Sequence, residues 1–236
     1  MALPFFYNEE VQIDSGQLVL NEETSKHIVQ VLRMQSGDQL NLTNGKGTLF
    51  TVEITDNHKK KCAVKILSIN NHQPLEKKIS IGISLIKNTS RFEWFLEKVT
   101  EIGVGEIIPL ICSRTEKQHF RFERMKGILV SAMLQSQQTW LPVLKDPLKL
   151  EKVIAAAYNG QKFIAHCENE NNKDQLTNKL INKSTNRLIL IGPEGDFTKS
   201  EIDTALGNHF IPVSLGATRL RTETAGIVAA TLLCNI

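Results

Sequence analysis

A chain of 236 residues with 41% hydrophobic and 22% charged residues can bury a core without disulfide staples, as one large domain or two modest ones. Its net charge of +3 is too small to demand a nucleic-acid partner; the 10 Lys and Arg against 7 Asp and Glu in residues 73–130 suit either phosphate contacts or a solvated charged face. Cys62, Cys112, Cys167 and Cys234 form no CxxC pair and read as buried reduced thiols, and no apolar run approaches the roughly 18 residues of a membrane span, so a soluble cytoplasmic protein without a metal site is expected.

Residues 1–70 read as a small β-rich unit. Glu22–Met34 places Ile28, Val31 and Leu32 on one helical face, and Gly37-Asp38 marks the exit. Asp38–Thr43 and Thr48–Ile54 alternate apolar and polar residues around Asn44-Gly45-Lys46-Gly47, a hairpin signal, and Lys61–Ile69 repeats the alternation. A small barrel with one helix is expected, then a polar, proline-containing linker over residues 71–78. From Ile79 the texture becomes α/β. Ile79–Ile86 and Glu106–Cys112 are apolar strands flanking a helix that Ser90 and Glu93 would open as a capping box and Gly103 would close. Phe122–Gln137 reads as a helix, Lys162–Cys167 and Arg187–Ile191 as strands, Thr198–Glu201 as a second capping box, Phe210–Leu215 as a strand and Thr222–Cys234 as a final helix. Alternation of this kind implies a mostly parallel sheet covered on both faces. Polar Glu168–Asn186 reads as a mobile loop with a partly helical middle.

The chain lacks G-x-G-x-x-G, a P-loop and a G-x-S-x-G elbow, and its six histidines lack metal-ligand spacing. What remains is a pair of strand-end loops, Ile191-Gly192-Pro193-Glu194-Gly195-Asp196-Phe197 and Ser214 to Ala225. In an open α/β sheet, ligands sit outside the carboxyl ends of the strands, so two such loops suggest two walls of one pocket. Glycines admit a ligand close to the backbone, and Pro193 stiffens the turn, so the loop could read an adenine edge without side chains. A plain strand-to-helix turn is the competing reading for the first loop. Arg219 and Arg221, beside an apolar strand end, are hard to explain as packing.

These two loops resemble the signatures of the bacterial 16S ribosomal RNA uridine N3-methyltransferases, the small-subunit methyltransferase E family of the knotted SPOUT superfamily. The resemblance extends to His27–Asp38, to the lysine-led helix Lys87–Val104 and to Arg114. Leu134, Gln138, Thr218 and Asp196 depart from the common pattern. The resemblance implies a PUA-like, RNA-binding N-terminal β-barrel and a SPOUT α/β domain over residues 79–236, with a trefoil knot formed by about 160–236. It implies S-adenosyl-L-methionine held by Ile191, Gly192, Pro193, Glu194, Gly195, Leu215, Gly216, Leu220, Arg221, Thr224 and Ala225. It also implies 16S rRNA of the small ribosomal subunit as substrate, and a homodimer. The apolar helix Ala225–Cys234 reads either as part of the dimer contact or as a core helix.

Methylation of uracil N3 requires a weak acid to lose its proton. Arg221 cannot act as a base but can stabilise charge on a uracil oxygen, and Glu223 can take the proton directly or through water. An acid in a helix's first turn is the alternative reading of Glu223. Lys87, Arg91, Arg114 and Arg219 are the candidates for RNA contact. Competing functions are a non-catalytic RNA-binding or assembly factor, and a SPOUT enzyme acting on another RNA.

Overall fold

The computed structural model describes residues 3–12, 16–74, 76–116, 119–168, 173–180 and 185–235. The chain forms two compact units, Met1–Pro74 with Met133–Leu141, and Leu75–Ala132 with Pro142–Ile236. Residues 133–141 thus group with the N-terminal unit, although they fall within the second domain on the sequence reading.

The first unit is a five-stranded sheet. Its strands are β1 (Phe5–Tyr7), β2 (Gln17–Val19), β3 (Gln39–Thr43), β4 (Thr48–Asp56) and β5 (Ala63–Asn71), in the order β1-β3-β4-β5-β2. β5 extends through Asn71, the first residue of the expected linker. Strand alternation sends Leu40, Leu42, Phe50, Val52, Ile54 and Val64 into one core with Phe6, Leu20 and Ile28. The expected hairpin turn is present between β3 and β4. Gly45 and Gly47 have φ of 71° and 87°, and a side chain at Gly47 would strike the Trp140 ring.

The helix expected over Glu22–Met34 is shorter. α1 (Glu22–Lys26) is capped by Asn21, whose Oδ1 accepts from Thr24 N at 2.8 Å, and it widens into a π-helical turn, His27–Val31. The wide turn ends at Arg33 in the left-handed region (φ 56°), which lets both Ile28 and Met34 reach the core.

The second unit is an all-parallel sheet. Its strands are β6 (Ile79–Ser84), β7 (Glu106–Ile111), β8 (Val143–Leu144), β9 (Leu148–Lys149), β10 (Gln161–Ala165), β11 (Asp174–Gln175), β12 (Arg187–Ile191) and β13 (Ile211–Ser214). The order is β11-β13-β10-β12-β6-β7-β8, with β9 also on β7. The helices are α2 (Thr89–Ile102), α3 (Phe122–Gln135), α4 (Leu150–Ala155), α5 (Lys199–Gly207) and α6 (Thr222–Cys234). The short β8, β9, β11 and α4 carried no periodic signal. α4 and α5 cover one sheet face through Leu150, Ile154 and Ile202 against Leu110, Ile164, Leu188 and Leu190. α6 packs on α2, β6 and β12.

Two helix starts differ in kind. Thr198 caps α5 as expected, in a reciprocal capping box with Glu201. α2 is capped instead by Asn88, whose Oδ1 accepts from Ser90 N at 3.0 Å, while Glu93 pairs with Arg124. Gly103 closes α2 at φ 95°, as expected. In the segment Glu168–Asn186 a 3-10 turn spans Leu176–Lys179, and residues 169–172 and 181–184 lie outside the described set. Because the strands of the second unit's sheet are parallel, the loops after β6, β10, β12 and β13 emerge at one edge.

Candidate active site

That edge carries a cleft with two joined lobes of about 300 and 310 Å³. Ile191, Gly192, Pro193 and Glu194 wall the first lobe, facing Arg221 and Thr222; Leu215 and Gly216 wall the second. Ala165, Cys167, Arg219, Leu220 and Ala225 border both. The two glycine turns therefore open onto one hollow.

The β12 loop is held from three sides. Thr222 Oγ1, at the start of α6, donates to the Gly192 carbonyl at 3.0 Å. Asp196 sits in the left-handed region (φ 62°), which favours glycine and which Asp tolerates better than most residues. Its Oδ2 accepts from Cys167 N at 2.7 Å, tying the end of β10 to the loop. Arg114 Nη1 donates to the Gly195 carbonyl at 2.6 Å and to that of Phe197 at 3.4 Å. At Gly192, a Cβ would come within 3.1 Å of the Phe197 ring and amide, so the close turn favours glycine.

Behind this loop, Glu201 Oε1 accepts from Ser113 N at 2.8 Å, and Oε2 from Thr198 N at 2.7 Å and Thr198 Oγ1 at 2.9 Å. Burial pushes the Glu201 carboxyl up, but the bonds from Ser113 and Thr198 outweigh it and leave it below its ordinary value of 4.5. A folded-state value below the unfolded one stabilises the protein at pH above about 4.5, and that stabilisation is lost as pH falls through the lowered value. Glu201→Gln puts an NH₂ against donors and is expected to cost about 2 kcal/mol above pH 5. The gap to the native protein should shrink below pH 4.5, as read by urea denaturation across pH.

Several expected site residues stand elsewhere. Gly195 and Thr224 wall neither lobe. Glu223 is buried and turned toward Arg91, with Oε1 3.7 Å from Arg91 Nε. Among the RNA-contact candidates, Lys87 pairs with Glu116 at 3.0 Å, Arg91 with Glu223, and Arg114 clamps the loop. Exposed Arg219 borders both lobes.

Sequence reasoning missed Thr222 and Lys173. Lys173 borders the second lobe and donates to the carbonyls of His166 (2.7 Å) and Glu168 (3.0 Å). It also missed a further hollow of about 360 Å³ bounded by Thr89, Ser90, Glu93, His119, Arg121 and Arg124. There Arg124 holds Glu93 at 2.6 and 3.0 Å and keeps its carboxyl below the ordinary value. Nothing in the spacing of these residues marks them, because α2 and the approach to α3 meet only in three dimensions.

The thiols do not offer a nucleophile. Burial pushes Cys112 up to about 12 and Cys234 to about 11, and burial with Asp196 raises exposed Cys167. Among the described residues no group of three His, Cys, Asp or Glu could hold a metal ion, and no helix is long and apolar enough to cross a membrane.

Comparison with known proteins agrees with this geometry. A family model described as an RNA methyltransferase domain matches residues 73–234, and one described as an RNA methyltransferase PUA domain matches residues 20–67. The chain is 31% identical to ribosomal RNA small subunit methyltransferase E of Buchnera aphidicola (subsp. Acyrthosiphon pisum), over 98% of this chain and 92% of that one. A crystal structure described as a probable rRNA-methyltransferase from Porphyromonas gingivalis is similar with a TM-score of 0.89 and 38% identity, covering 97% of this chain and 95% of that one. A methyltransferase from Legionella pneumophila, solved with the cofactor SAM bound, is similar with a TM-score of 0.86 and 30% identity, over 99% and 97% of the two chains.

Proposed function

The chain belongs to the RNA methyltransferases of the ribosomal RNA small subunit methyltransferase E family, and from that premise we propose that it methylates N3 of a uridine in 16S rRNA, using S-adenosyl-L-methionine. The observation that carries the proposal is the single cleft onto which the Gly192 and Gly216 turns both open, with Arg221 on its wall. The residues fit the donor. Two joined lobes reach the size range of small-molecule sites, about 300–1,000 Å³. Gly216 has open space where a side chain would stand, which leaves room for close approach, and Glu194 and Asp196 set negative charge beside the first lobe, where a sulfonium would be favoured.

When bound along Ile191, Gly192, Leu215 and Gly216, S-adenosyl-L-methionine would supply the electrophilic methyl group. The chain's own residues align the acceptor and ease loss of the N3 proton. Arg221 sets a permanent positive charge at the cleft wall, against which negative charge on a uracil oxygen is stabilised. Glu223 does not border the cleft and its carboxylate is buried beside Arg91, so the N3 proton leaves to solvent and not to Glu223. Arg219 at the rim and the hollow with Arg121 and His119 receive RNA phosphates. The knot over about residues 160–236 belongs to the same reading. It is supported by β13 lying beyond β10 while α6 returns to pack on β12, β6 and α2. A homodimer and a cytoplasmic setting complete the proposal.

Mass-spectrometric mapping of 16S rRNA from cells with and without this gene tests the reading: N3-methyluridine is expected to vanish with the gene, and its persistence would refute the assignment. Absence of S-adenosyl-L-methionine binding, with RNA affinity intact, would favour a non-catalytic RNA-binding role. Arg121→Ala is expected to weaken RNA binding, to reduce the slope of log affinity on log salt by about 1 and to leave cofactor affinity unchanged. Titrations at several salt concentrations read all three.

A further inference from the structure

Glu223 is only 5% exposed, and its two carboxylate oxygens are unequally served. Oε1 stands 3.7 Å from Arg91 Nε, an ion-pair distance but too long for a hydrogen bond. Oε2 is sealed from solvent and has no hydrogen-bond partner among the described residues. A buried carboxylate in this condition is costly, and such groups call for a functional or structural reason. Its position supplies one. Glu223 lies in the first turn of α6, two residues after Arg221 on the cleft wall and next to Thr222, which holds the Gly192 carbonyl. Arg91 lies in the first turn of α2, where its amide faces the Asn88 cap at 3.4 Å. α2 and α6 approach so closely at Gly226 and Phe95 that a Cβ on the glycine would come within 2.5 Å of the ring. The ion pair therefore joins two first turns whose helices are already packed together. Hydrogen bonds that serve catalysis are often long before substrate arrives and shorten in the complex.

We propose that Arg91 is a positioning residue for methyl transfer: its guanidinium holds the buried Glu223 carboxylate, and with it the turn of α6 from which Arg221 meets the substrate. This rests on the methyltransferase reading above. It assigns Arg91 to the support of the reaction site rather than to an RNA phosphate. Lysine restores the charge but not the planar fork, so it recovers the function in part.

A double-mutant cycle in the full-length protein tests the assignment, with Arg91→Ala, Glu223→Gln and the double variant, plus Arg91→Lys and Arg91→Gln. The readouts are kcat, the KM for RNA and for cofactor, the salt dependence of RNA binding and the thermal midpoint. Arg91→Ala is expected to lower kcat about 100-fold, the scale of a small misplacement at a reacting centre, with both KM values within about twofold. Arg91→Lys should recover at least about a tenth of native kcat, and the double variant should be no slower than the slower single one. Should the alanine variant fail to fold, the Lys and Gln variants carry the same comparison, with Lys expected to be the faster. Additive losses would overturn the proposal. So would a raised RNA KM with a flattened salt slope and native kcat, which would make Arg91 a phosphate ligand. A native protein that methylates no RNA would instead overturn the activity reading, and this proposal with it.

Discussion

Replacing Arg221 by alanine is expected to lower the rate of methyl transfer by about 100-fold or more while leaving the fold intact. The two halves of this expectation have separate grounds. Arg221 is exposed and occupies the N-cap position of α6, yet its side chain makes no capping hydrogen bond. Its loss should change stability by no more than about 0.5 kcal/mol, as for ordinary surface positions. Its backbone carbonyl, which accepts from Ala225 N at 2.8 Å, is kept in the variant. The guanidinium, however, is with that of Arg219 one of the two permanently charged donor sets that line the first lobe. Lysine at this position keeps a charge without the planar fork and should fall between the two. Single-turnover transfer of a labelled methyl, together with a thermal midpoint, reads both halves. Near-native turnover would remove Arg221 from the mechanism, and a collapsed midpoint would make its role structural.

Gly226→Val is expected to produce the largest loss of stability, about 3 kcal/mol. Gly226 lies in the interior of α6, where alanine would ordinarily gain about 1 kcal/mol over glycine. Here packing opposes that gain. A Cβ would sit 2.5 and 2.9 Å from two atoms of the Phe95 ring and 3.0 Å from Ile83 Cδ1. Phe95 and Ile83 are both fully buried, so neither has room to yield. Overpacking of this kind costs about 1–3 kcal/mol, so alanine should already be destabilising, and valine adds two methyl groups at the same contact. The harm should also reach the cleft, because the displaced helix carries Thr222, whose hydroxyl holds the Gly192 carbonyl. Urea unfolding and cofactor titration of the Ala and Val variants check this: stability should fall in the order Gly, Ala, Val, and an unchanged midpoint for valine would contradict the close packing of α2 on α6.

Much of the α/β unit was legible in the residues. Arg187–Ile191 and Thr222–Cys234 match the observed β12 and α6 at both ends. Each is a contiguous apolar or small-residue run bounded by polar or turn-forming residues, and such local signals need no knowledge of distant parts. The same holds for the Thr198 cap and the Gly103 stop. The gathering of the Gly192 and Gly216 turns followed from one further step, since strands linked by helices run parallel and end at a common edge.

The chain by itself determined where its longer strands and helices lie, that its central sheet is parallel, and that the two glycine turns end strands at one edge, because periodicity, caps and parallel connection are local or topological properties. Tertiary structure alone decided what the charged side chains do. Arg114 reaches 81 residues along the chain to clamp the Gly195 carbonyl, Glu201 reaches 88 to hold Ser113, and Glu223 turns into the protein toward Arg91. It also decided that Asn88 rather than Ser90 caps α2, and that residues 133–141 fold with the N-terminal unit. The physical reason is that a long polar side chain takes its direction from whichever unsatisfied backbone group or opposite charge the folded chain brings within about 3 Å, and that neighbour is set by packing rather than by sequence distance.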